Sequence, residues 1–125
     1  MTDGKEKLTE KEEETMLLIW EHGPCAVKDL LQYYDEPRPH INTVSTFVRS
    51  LEAKGYVGHK PARFGGYHYY ALKPKSDYGK SAARRLIDRY FGNSFAMMSQ
   101  LVKDEAIDAE ELRQLLDMVE KRKHD

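Results

Sequence analysis

The segment Asn42–Lys54 constrains this chain more than any other stretch. At about 100° per residue, Phe47, Leu51, Val44 and Val48 fall within one arc of a helix. Asn42, Thr43, Ser45, Thr46, Arg49 and Ser50 take the other side, which carries no Asp or Glu before Glu52. Such a helix must bury its aliphatic side against other elements. Its polar side is unusual for a surface that merely meets water, where Lys, Glu and Gln are better helix formers. Short hydroxyl and amide groups around one arginine are instead what a helix in a major groove needs. Ser and Thr reach base edges or phosphates, Asn pairs with adenine, and Arg holds guanine through two bonds.

The neighbouring segments frame this helix. Thr9-Glu10-Lys11-Glu12 has the S/T-x-x-E form of a reciprocal helix cap. Met16, Leu17, Ile19 and Trp20 then give a first helix its buried face, and Gly23-Pro24 ends it. Cys25-Ala26-Val27 suits a brief strand, and Asp29–Tyr34 a second short helix with Leu30 and Leu31 inward. Pro37 and Pro39 impose a turn. Asn42 is expected to cap the third helix and Gly55 to terminate it. Two β-prone runs, Tyr56–Lys60 and Tyr67–Leu72, flank Gly65-Gly66 and read as a hairpin. Lys60 and Arg63 sit in or beside its turn, placed for phosphates or a minor groove. Helix, turn, helix and basic hairpin in this order make a helix-turn-helix with a wing.

After Pro74 the pattern is helical throughout. Asp77–Phe91 carries Tyr78, Ala82, Leu86 and Tyr90 at intervals of four. Phe95, Met98, Leu101 and Val102 form a shorter stripe, and Asp108 caps a last helix bearing Leu112, Leu115, Leu116 and Val119. These stripes are more apolar than a small head can cover. Tyr78, Leu86, Tyr90, Phe95, Met98, Leu101, Leu112, Leu115, Leu116 and Val119 are therefore expected to build an isologous two-fold interface. The expected fold is mainly α (α+β): a winged helix-turn-helix head over 1–74 and a helical dimerisation region over 75–125.

Composition limits what else the chain can be. Its 125 residues, 40% of them hydrophobic, build one core and leave little to line a roomy cleft. A net charge of −1 argues against a nucleic-acid partner until its distribution is considered. From Arg38 to Lys73, Arg38, Arg49, Lys54, Lys60, Arg63 and Lys73 stand against the single acid Glu52, whereas Met1–Pro37 is net acidic. Cys25 is the one cysteine, so there is no intrachain disulfide and no cysteine-rich metal site, which suits a reducing compartment. Met1–Glu14 has no apolar run for a signal peptide, and no segment nears the roughly 18 to 20 apolar residues of a bilayer span. A cytoplasmic protein is expected, without membrane insertion.

The enzyme reading rests on Tyr67-His68-Tyr69-Tyr70 with His59 nearby. No acid lies close in sequence to orient a histidine, and neither a Gly-rich phosphate loop nor H-E-x-x-H occurs, so no catalytic residue, cofactor or metal is expected. The other alternative is a winged-helix scaffold for protein contact alone, which the near-zero net charge permits. A protein interface would more often fill the 42–50 face with aromatics and Met.

Several segments together carry a family resemblance. Leu8-Thr9-Glu10 through Trp20, Gly23–Asp29, Asn42-Thr43-Val44-Ser45-Thr46 and Leu51–Val57, with Tyr69 in the second wing strand, resemble the penicillinase-repressor family of the BlaI/MecI type, related to the copper-responsive CopY repressors. The resemblance runs over nearly the whole chain from Leu8. It implies a homodimeric repressor whose winged heads bind the half-sites of an inverted-repeat operator on double-stranded DNA. It also implies C-terminal helices joining the subunits, and regulated operons for β-lactamase, altered penicillin-binding proteins or related stress functions. In the best-known members a membrane sensor protease triggers cleavage in the C-terminal region. The Asn-Phe bond typical there is absent; Gln100-Leu101 lies near that place, with Asn93-Ser94-Phe95 somewhat earlier. The paired Cys-x-Cys motifs of the copper-responsive branch are absent too, which excludes metal sensing by that route. Control by a small effector rather than by proteolysis stays open.

Overall fold

The computed structural model describes residues 7–124; the charged stretch from Met1 to Glu6 and Asp125 lie outside the described residues. The chain divides into two compact units, 1–79 and 80–125.

In the first unit, helix α1 (Glu10–His22) opens on the reciprocal cap. The Glu12 N–H donates to Thr9 Oγ1 at 3.2 Å, and the Thr9 N–H donates to Glu12 Oε1 at 2.9 Å. Gly23, at φ +80°, closes the helix with its N–H on the Ile19 carbonyl. Glu12, Thr15, Met16 and Ile19 form the inward stripe. Leu17, expected inward, is 42% exposed, because it falls about 100° off that i, i+3, i+4, i+7 row. Helix α2 (Val27–Leu31) begins and ends earlier than the expected Asp29–Tyr34. Tyr34 is nonetheless buried, its hydroxyl hydrogen-bonded to that of Thr15.

Helix α3 (Ile41–Ala53) is capped by His40 and not by the expected Asn42. His40 is extended, and its Nδ1 accepts the Asn42 N–H at 3.0 Å, so the helix starts one residue before Asn42 and leaves that amide side chain outward. Val44, Val48 and Leu51 are fully buried, and Phe47 is half-buried at the edge of their arc. Gly55, at φ +86°, turns the chain out of the helix, and the Tyr56 N–H donates back to the Leu51 carbonyl at 2.9 Å.

Strands β1 (Val57–Pro61) and β2 (Tyr67–Ala71) pair antiparallel, with Val57 opposite Ala71 and Lys60 opposite His68. Cys25 adds a one-residue bridge to Tyr69, the remnant of the brief strand expected there. The turn between the strands needs glycine at Gly65 and Gly66, whose φ values are +102° and +73°. Helices α1 and α2 both pack on α3, which also meets β1, while α1 meets β2. The core lies in the middle of these elements.

Trp20 closes the end of this unit. Its indole N–H donates to the Lys73 carbonyl at 2.8 Å, and its ring lies 5.9 Å from that of Tyr78, which in turn meets Tyr56 edge-on at 5.8 Å. Helix α4 (Lys75–Tyr90) starts here. The spacing of Tyr78 puts it with the expected dimerisation residues, but within the chain it is already covered. It is 7% exposed and belongs to the aromatic cluster of the head. Periodicity placed it on the right face of α4, but the first turn of that helix is covered by Trp20 and Tyr56.

The second unit holds the rest of α4, helix α5 (Ser94–Lys103) and helix α6 (Ala109–His124). Asn93 caps α5, accepting the Ala96 N–H at 2.8 Å. Asp108 caps α6, as the sequence indicated, accepting the Glu111 N–H at 2.8 Å, and the structure adds the return bond from the Asp108 N–H to Glu111 Oε1 at 3.0 Å. None of the residues from 80 to 123 is buried. Leu86, Tyr90, Phe95, Leu115, Leu116 and Val119 are exposed, and Met98, Leu101 and Leu112 are half-buried.

Candidate nucleic-acid interface

The six cations of the 38–73 window divide into two groups of three. Lys54 Nζ donates to Glu12 Oε1 at 2.6 Å, Lys73 Nζ stands 4.5 Å from the centroid of the Tyr56 ring, and Arg38 Nε lies 3.4 Å from Glu36 Oε2. Arg49, Lys60 and Arg63 are exposed and meet no acidic side chain among the described residues. Arg49 projects from α3, and the other two stand on the wing. Within this window, positive charge without an acidic partner is therefore confined to one face of α3 and the hairpin.

On α3, Asn42, Thr46 and Arg49 follow one another at i, i+4 and i+7, directly opposite the Val44–Val48–Leu51 arc, and all three are exposed. Thr46 Oγ1 donates to the Asn42 carbonyl at 3.0 Å, which fixes the hydroxyl along the helix and leaves its methyl and lone pairs outward. Ser45 is half-buried on one flank and Thr43 is exposed on the other. Ser50 stands apart. It shares the Thr43 flank but is half-buried, and its hydroxyl donates to Glu12 Oε2, so that donor is taken up inside the head.

Glu12 is the residue that sequence reasoning undervalued. Beyond capping α1, it accepts hydrogen bonds from Ser50 and Lys54 at the far end of α3, 38 and 42 residues away in sequence. Burial alone would raise its pKa. The bonds from Lys54, Ser50 and the Thr9 N–H, with the attraction of the Lys54 charge, outweigh burial and hold it at about 2. The Thr-x-x-Glu spacing showed only the local half of this role.

The wing is fastened to the same helix. His59 Nδ1 lies 2.5 Å from Glu52 Oε2, and Tyr67 and Tyr69 flank the imidazole at ring distances of 4.8 and 5.7 Å. Here the structure supplies the carboxylate that the sequence reading found missing beside a histidine. Glu52 is on α3 and His59 on β1, so their meeting depends on the chain reversal at Gly55. The pair ties the first wing strand to the last turn of α3. Sequence reasoning also passed over Phe64, which stands at the wing tip 93% exposed, with the Arg63 guanidinium 5.5 Å from its ring centroid.

The model for the penicillinase repressor family matches residues 8–121. The chain belongs to that family. The match takes in both compact units, and it makes the protein a transcriptional regulator of repressor type, the class to which penicillinase repressors belong rather than to enzymes. No curated protein matches the chain closely enough to add to this. In the head of this penicillinase repressor the buried arc fixes α3, and Asn42, Thr46 and Arg49 on its other side are exposed. Among the described residues no cluster of His, Cys, Asp and Glu is arranged to hold a metal ion. Nor is any described helix long and apolar enough to cross a membrane.

Proposed function

We propose that this penicillinase repressor is a cytoplasmic homodimer that binds an inverted-repeat operator, with α3 in the major groove and the wing on the adjacent backbone. The observation that carries this reading is the exposed row Asn42, Thr46 and Arg49, free of acids, in a head whose wing also exposes Lys60 and Arg63. Thr43 and Ser45 extend the contact on either flank, and Ser50 acts indirectly by holding the helix to Glu12. The second unit supports the dimer. Leu86, Tyr90, Phe95, Met98, Leu101, Leu112, Leu115, Leu116 and Val119 form no core in one chain, and a two-fold copy would supply the missing partner. Two heads related by such an axis match the symmetry of a palindromic site.

Selection of bound duplexes from a random pool, followed by titration against salt, tests the proposal. Specific binding with log affinity falling by several units per decade of salt is expected; no selected sequence and no salt dependence would sink it. Arg49→Ala should weaken the selected duplex by about 1–3 kcal/mol and relax preference at one base position. Equal loss on random DNA would make Arg49 a phosphate contact instead. Lys60→Ala and Arg63→Ala should each weaken all duplexes alike and lower the salt slope by about one. A sequence-dependent loss in either variant would contradict a backbone role.

A further inference from the structure

The wing tip presents a side chain that the fold does not use. Phe64 is 93% exposed between Arg63 and Gly65, with the Arg63 guanidinium 5.5 Å from its ring centroid. The turn closes without it, through the Ala62 N–H on the Gly66 carbonyl at 2.9 Å and the Gly65 N–H on the Ala62 carbonyl at 3.3 Å. A phenyl ring held fully in water at a hairpin apex adds nothing to the head, and a polar residue would serve the turn as well. Its setting is cationic, with Lys60 and Arg63 both lacking an acidic partner among the described residues.

We propose that Phe64 is a wedge that enters the minor groove and partly unstacks one base step, bending the duplex, while Arg63 stays on the phosphate backbone at the groove's edge. This rests on the reading of the head as a duplex binder. Apolar side chains used in this way are inserted between base steps beside arginines that answer the negative potential of a narrow groove. The reach is adequate. Strand β1 spans five residues, about 16.5 Å at 3.3 Å per residue, and successive major and minor grooves on one face lie about 17 Å apart, half of a 34 Å turn. The strand follows α3 after only Lys54, Gly55 and Tyr56, and the His59–Glu52 contact holds it to that helix, so a seated α3 fixes where the tip arrives. The wedge favours steps that unstack easily, TA or CA/TG, and thus adds sequence preference where no base edge is read.

The test uses the full chain and a duplex of about 30 base pairs that the protein itself selects from a random pool, carrying 2-aminopurine at its flexible steps and dyes at its ends. The native protein should bend the duplex and raise the fluorescence of one 2-aminopurine. Phe64→Ala should straighten the DNA, abolish that rise and lower affinity roughly 10- to 100-fold, with the salt slope unchanged because no charge is removed. Phe64→Leu should restore part of each signal. Phe64→Ala that binds and bends as the native protein does would overturn the wedge, as would affinity lost with bend and fluorescence intact. A native protein that selects no duplex would overturn the DNA reading itself, a result separate from either of these. Thermal melting of both variants should match the native protein, since the ring supports nothing in the head.

Discussion

Glu12→Ala is expected to lower the stability of the head by about 3 kcal/mol, read as a fall in urea midpoint at constant slope. The carboxylate is almost fully buried, and its pKa stands at about 2 against an ordinary 4.5. A gap of that size corresponds to about 3 kcal/mol of preference for the ionised form in the folded chain. Removing it leaves Ser50 without its acceptor and Lys54 without its counter-charge, at the point where α1 and the end of α3 are joined. The pH dependence has a fixed sign. Because the folded value is depressed, the unfolded chain binds more protons between the two values, so the contribution is complete above about pH 5 and is lost as pH falls from 4.5 through 2. Glu12→Gln separates charge from shape. It keeps an acceptor for Ser50 and should flatten the stability profile between pH 5 and 2. An unchanged acid profile in Glu12→Gln would assign acid sensitivity to other carboxylates. The helix that Glu12 steadies is the one bearing Asn42, Thr46 and Arg49, so loss of operator affinity in Glu12→Ala should follow loss of the α1–α3 join without any lost contact to DNA.

The elements were legible in the sequence wherever a local rule decides them. Thr9 with Glu12, Asp108, Gly55 and Gly65-Gly66 each act within a few residues, and each stands where its chemistry requires. The winged architecture followed because a helical period, two proline-marked turns and a glycine-marked hairpin can be ordered along the chain. Most of the departures share one cause, contact between residues well apart in sequence; the His40 cap is the local exception. Tyr78 lies on the apolar row of α4, yet Trp20 and Tyr56 claim it for the head. Ser50 is polar and shares a helix with Arg49, yet Glu12 draws its hydroxyl inward. His59 acquires Glu52 through a chain reversal that no spacing rule announces. His40 displaced Asn42 as the cap because its ring nitrogen reaches the second N–H of the helix, a role usually left to Ser, Thr, Asp and Asn. Charge counting found the basic window but could not say that Lys54 and Lys73 are engaged within the head while Arg49, Lys60 and Arg63 remain available.

The double substitution Leu112→Glu with Leu116→Glu should convert the protein to monomers and weaken operator binding by on the order of 10²- to 10⁴-fold, the loss expected when two linked heads become independent. The second unit makes this a strong expectation. Its three helical segments contribute no buried residue to a core of their own, and Tyr90 and Phe95 are 69% and 81% exposed. Helices of this length do not persist in water on propensity alone; an apolar face must be covered. Leu112 and Leu116 stand one turn apart on α6, so two carboxylates there would enter the covered surface together and would have to be desolvated without partners. The single tryptophan provides an internal control. Trp20 is anchored in the head by its bond to the Lys73 carbonyl, and its emission reports that unit whatever happens to the C-terminal helices. Monomers in sedimentation, native Trp20 emission and a residual affinity carried by one head together constitute the expected result. Dimers persisting at the native dissociation constant would remove α6 from the interface, and would leave the exposed rows of α4 and α5 as the surfaces through which the subunits meet.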